Sequence, residues 1–210
     1  MKKHGPSRTS TARLNQSRIP FTSKSNNDSG LLAWYSRKLD THPIATKSIS
    51  SAVIGGIGDA FSQYIEARRE IRPFSWDALR TCRFGFLGLV LVGPIIHFWY
   101  GALTGWLPGS TARAVTQRVI MDQFLFSPAF LPTFLSGLWF LEGKNSTNLV
   151  PALKDEVPQA IVMNWALWIP AQCINFSMVP PKYQVLFSNG VATIWNVYLS
   201  FTAHRRSSDE

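Results

Sequence analysis

FGFLGLVLVGPIIHFWYGALTGWLPGSTA, residues 84–112, runs for 29 residues without an Asp, Glu, Lys or Arg. About 20 residues of helix cross the roughly 30 Å hydrocarbon core of a bilayer, so this stretch is long enough to span. Three more uncharged windows follow, at residues 123–141, 157–181 and 183–204. A soluble domain rarely leaves four such gaps in 210 residues. The mean hydropathy of the whole chain is nevertheless close to zero. The charges gather in the first part of the chain and between the windows, and averages of that kind hide spans. The pattern predicts an all-α fold, a polytopic transmembrane helix bundle.

Outward from these windows, five segments are predicted: residues 44–65, 83–103, 119–141, 158–178 and 184–203. The first carries Lys47 and Asp59 among small and polar residues. It either spans or lies partly in the interface, so the bundle has four to five helices. Upstream, Leu31, Tyr35 and Leu39 recur every four residues with Trp34 beside them, while Arg37 and Lys38 face elsewhere. That is a short interfacial N-terminal helix, broken at His42-Pro43 because a residue before proline is pushed out of the helical region. Residues 1–30 hold Lys2, Lys3, Arg8, Arg13, Arg18 and Lys24 among Ser and Thr, with no acid before Asp28. They read as a mitochondrial transit peptide or a basic disordered tail, since Gly5, Pro6 and Pro20 interrupt any amphipathic helix. Residues 31–204 form the bundle domain and 205–210 a polar tail.

The net charge of +9 fits basic loops, attraction to anionic head groups, or targeting. The basic residues form no nucleic-acid motif, and the aromatics lie inside apolar runs instead of among them. If all five segments span, Lys47, Arg113, Arg118 and Lys182 lie near one face of the membrane. Arg68, Arg69, Arg72, Arg80, Arg83, Lys144, Lys154, Arg205 and Arg206 lie near the other. Cys82 and Cys173 are far apart, and His4, His42, His97 and His204 have no metal-ligand spacing. Gly55-Gly56-Ile57-Gly58 lacks the strand and spacing of a phosphate loop. No catalytic triad or carboxylate pair is visible, so neither an enzyme nor a cofactor is expected.

The polar residues inside the segments form stripes. Ser51, Gly55, Asp59 and Gln63 share one helix face; Trp165, Trp168, Gln172 and Asn175 share another. Asn189, Thr193, Asn196 and Ser200 do the same on the last helix, and Asp122, Thr133 and Ser136 on the third. Such stripes point into a bundle, either as the lining of a hydrated path or as helix–helix contacts. A carboxylate at membrane depth must be paired or wet, so Asp59 and Asp122 are the functional candidates, with Arg80, Arg83 and Arg118 as charge partners. Asp122 and Arg118 are four apart and within reach along one helix. Proline frees a backbone carbonyl, and Gly93-Pro94 with His97 one turn later is the candidate gate. The expected pathway prefers cations weakly, with selectivity at Asp59 or Asp122.

Several blocks occur together in one order: Trp34-Tyr35, His42-Pro43, Thr46-Lys47, Gly58-Asp59, Gly93-Pro94, Trp99-Tyr100 and Asp122-Gln123. They end in Trp168, Pro170, Gln172, Asn175-Phe176, Val179-Pro180, Trp195 and Tyr198-Leu199-Ser200. In these blocks, over residues 31–203, the chain resembles the Mpv17/PMP22 family. It departs where Ile169 separates Trp168 from Pro170, and where Gln184 stands in place of a basic residue after Val179-Pro180. The resemblance implies about four transmembrane helices in the mitochondrial inner membrane or, alternatively, the peroxisomal membrane. It also implies a weakly selective channel for small metabolites or ions, and no cofactor. A non-conducting scaffold is the other reading. The expected partners are the lipid bilayer, small metabolites or ions, and a second copy of the chain in a homo-oligomer, with no nucleic acid.

Overall fold

The computed structural model describes residues 1, 30–69, 71 and 73–207, with side chains through residue 196. The expected transit peptide or tail falls almost wholly outside them. The described residues are all-helical. Helix α1 (Leu31–Thr41) ends at His42, and α2 (Pro43–Arg69) begins on the proline, whose missing N–H is harmless in a first turn. Then come α3 (Ala78–Trp106), α4 (Ala112–Leu141), α5 (Leu149–Met178) and α6 (Gln184–Ser207). The helices overrun the apolar windows. Residues 149–157 form the first turns of α5 despite Lys154, Asp155 and Glu156, and α6 continues to Ser207, into the expected polar tail.

By length and composition, α3 and α4 qualify as membrane spans. Polar side chains dilute α2, α5 and α6, and their placement is informative. On α2, Ile49, Val53, Ile57 and Phe61 lie every four residues and are all more than half exposed. The opposite face buries Lys47, Ser51, Asp59, Ser62, Gln63 and Glu66. Large apolar side chains also lie outside on α3 (Leu89, Phe98), α4 (Phe124, Leu125) and α5 (Val162, Met178). Among the described residues the interior holds seventeen polar or charged side chains against thirteen apolar ones. A water-soluble protein does the reverse, and an apolar exterior this extensive needs a cover.

α3 and α4 share a device. Each carries a five-residue π-helical turn, Gly88–Val92 and Asp122–Phe126, directly before a small residue and a proline, Gly93-Pro94 and Ser127-Pro128. Proline clashes with the carbonyl four residues back, Val90 or Phe124, and a widened turn relieves the clash. The two glycines around the α3 turn also let α2 approach. A Cβ on Gly88 would lie 2.6 Å from the Ser51 carbonyl oxygen, and one on Gly93 2.4 Å from Ser48 Cα. α6 packs along α2, and α5 packs against α4 and α6.

Candidate functional site

All five long helices contribute to a central cavity of about 140 Å³. Asp122, Gln172 and Asn196 line it, as do Ser51 and Gly55 from α2 and Asn189 and Thr193 from α6. Sequence reasoning placed all of these on interior stripes.

Asp122 is 3% exposed. Its Oδ1 accepts from Trp99 Nε1 at 2.8 Å, and its Oδ2 accepts from Gln123 Nε2 at 2.7 Å and Gln172 Nε2 at 2.9 Å. The network then spreads. Gln172 Nε2 also donates to Tyr100 Oη (2.8 Å), which meets Ser188 Oγ at 2.7 Å. Asn175 Nδ2 donates to Gln172 Oε1 (2.9 Å) and Ser188 Oγ (3.2 Å). Asn164 Nδ2 reaches Gln123 Oε1 (3.2 Å) and Ser127 Oγ (2.8 Å). The carboxylate is thus held by neutral N–H donors, and among the described residues it has no ion-pair partner. The expected partner, Arg118, turns away. It donates to the carbonyls of Leu107 and Gly109 just past the end of α3, where a helix presents unsatisfied carbonyls and negative potential.

The other carboxylate is placed differently. Asp59 and Gln63 lie outside the cavity, towards the end of the bundle where α2 meets the start of α3. Arg80 Nε is 2.9 Å from Asp59 Oδ1, and the same guanidinium grips both oxygens of Glu66 at 2.8 Å. Thr81 Oγ1 (2.7 Å) and Gln63 Nε2 (2.8 Å) donate to Asp59 Oδ2, while Gln63 Oε1 accepts from Asp77 N (2.8 Å). Asp77 caps α3 through Arg80 N at 2.9 Å. A carboxylate paired in this way ties α2 to the start of α3, and neither Asp59 nor Gln63 lines the cavity. Arg83 pairs with neither carboxylate among the described residues.

The gate candidates separate as well. Pro94 closes the π turn against α2. His97 lies towards the opposite end of the bundle from Arg80, where its Nδ1 meets Lys47 Nζ at 3.0 Å. Neither lines the cavity. Thr133 and Ser136 also fail to reach it, bonding back to carbonyls of their own helix, Ala129 and Pro132. Trp99 and Tyr100 face the interior, held by Asp122 and Ser188. The stripe method missed Asn164, although it sits four residues before Trp168 and eight before Gln172. It also missed Ser188 and Gln123, whose neighbours alone follow the spacing.

Residues 139–200 match the Mpv17 / PMP22 family. The chain is 33% identical to peroxisomal membrane protein 2 of Bos taurus over 190 residues, covering 86% of this chain and 97% of that one. It is 34% identical to the mitochondrial inner membrane protein Mpv17 of Homo sapiens over 171 residues, 81% and 96% of the two chains. It is 34% identical to protein sym-1 of Neurospora crassa over 173 residues, 81% and 98%. No solved structure matches.

Proposed function

The chain belongs to the Mpv17/PMP22 family of mitochondrial and peroxisomal membrane proteins, and on that premise we propose that it forms a weakly selective pathway for small solutes or ions. In this reading α2 to α6 all cross the bilayer, the Ile49–Val53–Ile57–Phe61 stripe faces lipid, and α1 lies at the interface. Tyr35 Oη bonds Ser50 Oγ at 2.8 Å, and Lys182 Nζ reaches Ser36 Oγ at 2.7 Å, which ties α1 to the start of α2 and the turn before α6. The membrane is the mitochondrial inner membrane, with the peroxisomal membrane as the alternative, after the relatives. No catalytic step is part of the reading.

The observation that carries it is the inverted interior: a cavity bordered by Asp122, Gln172, Asn189, Thr193 and Asn196 at the centre of an apolar-coated bundle. A negative charge beside a narrow path favours cations, so Asp122 is the residue assigned to ion preference. A non-conducting scaffold draws support from one feature, the dense amide network that ties α3, α4, α5 and α6 together. Recording from the purified chain in planar bilayers separates the two. Currents with a cation-shifted reversal potential support the pathway; silent membranes containing folded protein support the scaffold.

A further inference from the structure

We infer that the cavity beside Asp122 is a binding site for small organic ammonium ions, alkylated amines of roughly five to seven heavy atoms. The inference deepens the pathway reading by naming the solute class.

Three observations converge. First, the Asp122 carboxylate borders the cavity, and no Lys, Arg or His is among the cavity's lining residues. Its N–H partners are neutral, so they orient the carboxylate without cancelling its charge. Second, an aromatic series runs along the cavity from beside Asp122. Trp99 and Phe126 stack at 4.8 Å, Phe126 and Phe130 at 5.1 Å, and the series continues through Phe134 at 6.4 Å to Phe84 at 6.0 Å. The four phenylalanines line the cavity. An ammonium carrying alkyl groups is stabilised by an aromatic lining and a carboxylate together. Third, a cavity of about 140 Å³ is close to the roughly 150 Å³ that accepts benzene in an apolar core. Tetramethylammonium and choline fall in that range.

The test uses the full chain in nanodiscs of phosphatidylglycerol, which has no choline head group, and measures equilibrium binding of radiolabelled choline. The expected result is saturable binding displaced by tetramethylammonium. Neither potassium nor 3,3-dimethylbutanol, the uncharged isostere of choline, should displace it. Asp122→Asn should weaken binding at least about tenfold, and Phe130→Leu, a swap gentle on packing, about five- to thirtyfold. If Asp122→Asn fails to fold, Phe130→Leu decides. Absence of saturable binding overturns the site. So does equal competition by dimethylbutanol, or a folded Phe130→Leu that binds like the parent. Repeating the measurement in phosphatidylcholine distinguishes a free solute from a lipid head group: unchanged binding supports the free ion, and abolished binding overturns it in favour of the lipid. A parent that binds choline but passes no current refutes conduction and keeps the site. A conducting parent without binding refutes the site alone.

Discussion

Gly93→Ala should destabilise the bundle by about 2 kcal/mol although alanine is the better helix former. Gly93 has ordinary helical dihedrals, so the substitution on its own gains about 1 kcal/mol of propensity. The added methyl, however, arrives 2.4 Å from Ser48 Cα and 2.9 Å from Ser48 N, where carbon atoms prefer roughly 3.5–4.0 Å. The obstructing atoms are backbone, so no rotamer change relieves them and α2 must move away from α3 by about 1 Å. Overpacking of this kind costs about 1–3 kcal/mol, at the upper end when whole helices shift. The shift also lengthens the Lys47–His97 contact, since Lys47 adjoins Ser48 and His97 follows Gly93 by one turn. Gly101 is the internal control: nothing lies within 4 Å of a Cβ there, so Gly101→Ala should be neutral or stabilising by up to about 1 kcal/mol. Unfolding with sodium dodecyl sulfate in mixed micelles, followed by circular dichroism, compares the midpoints. A Gly93→Ala protein as stable as the parent, or both variants shifting the same way, would refute the close approach of α2 and α3.

Arg80→Ala should cost about 2–3 kcal/mol in the same assay. It strands Asp59 and Glu66, whose side chains are 0% and 6% exposed, although the arginine itself is 31% exposed and partly screened. Arg80→Lys should recover only part of this, because an ammonium cannot bridge both Glu66 oxygens, and full recovery would contradict the fork. Lys182→Ala should change stability by no more than about 1 kcal/mol, since it loses one hydrogen bond to Ser36 Oγ and a solvent-exposed contact to Asp40 at 3.3 Å. Asp122→Asn should insert and fold yet move the reversal potential towards anion preference; an unchanged potential in conducting protein would remove Asp122 from ion selection.

The uncharged windows of α3 and α4 were legible because their exposed faces are apolar and the polar residues of their interior faces are few enough to leave long uncharged runs. α2 was harder. Its small and polar residues dilute the hydropathy of the segment, and only the phase between Ile49–Val53–Ile57 and Ser51–Gly55–Asp59 separates the exposed face from the interior. Helix ends were misjudged wherever a helix leaves the apolar zone, as at residues 149–157, because charge marks the membrane edge and not the end of hydrogen bonding. Within the site, spacing placed Gln172, Asn189 and Asn196 correctly. It did not foresee that Arg118 would serve the end of α3 instead of Asp122, since the loop carbonyls that attract it are distant along the helix. Nor could spacing distinguish Asp59 from Asp122. Both are isolated acids on polar faces, and the difference is whether an arginine on the next helix lies opposite. The π turns left a signal in Gly93-Pro94 and Ser127-Pro128, but the dipeptide says only that the helix is perturbed.

The central claim, an interior that is wet and an exterior that is not, can be tested by thiol accessibility. Cys82→Ser and Cys173→Ser remove the two exposed cysteines, and single substitutions Thr193→Cys, Ser51→Cys, Val53→Cys and Ile57→Cys are then probed in proteoliposomes with a membrane-impermeant cationic methanethiosulfonate. The account predicts that Thr193→Cys and Ser51→Cys are modified while Val53→Cys and Ile57→Cys, embedded in lipid, stay unreactive. Reagent that modifies Val53→Cys and Ile57→Cys but spares Thr193→Cys and Ser51→Cys would contradict it.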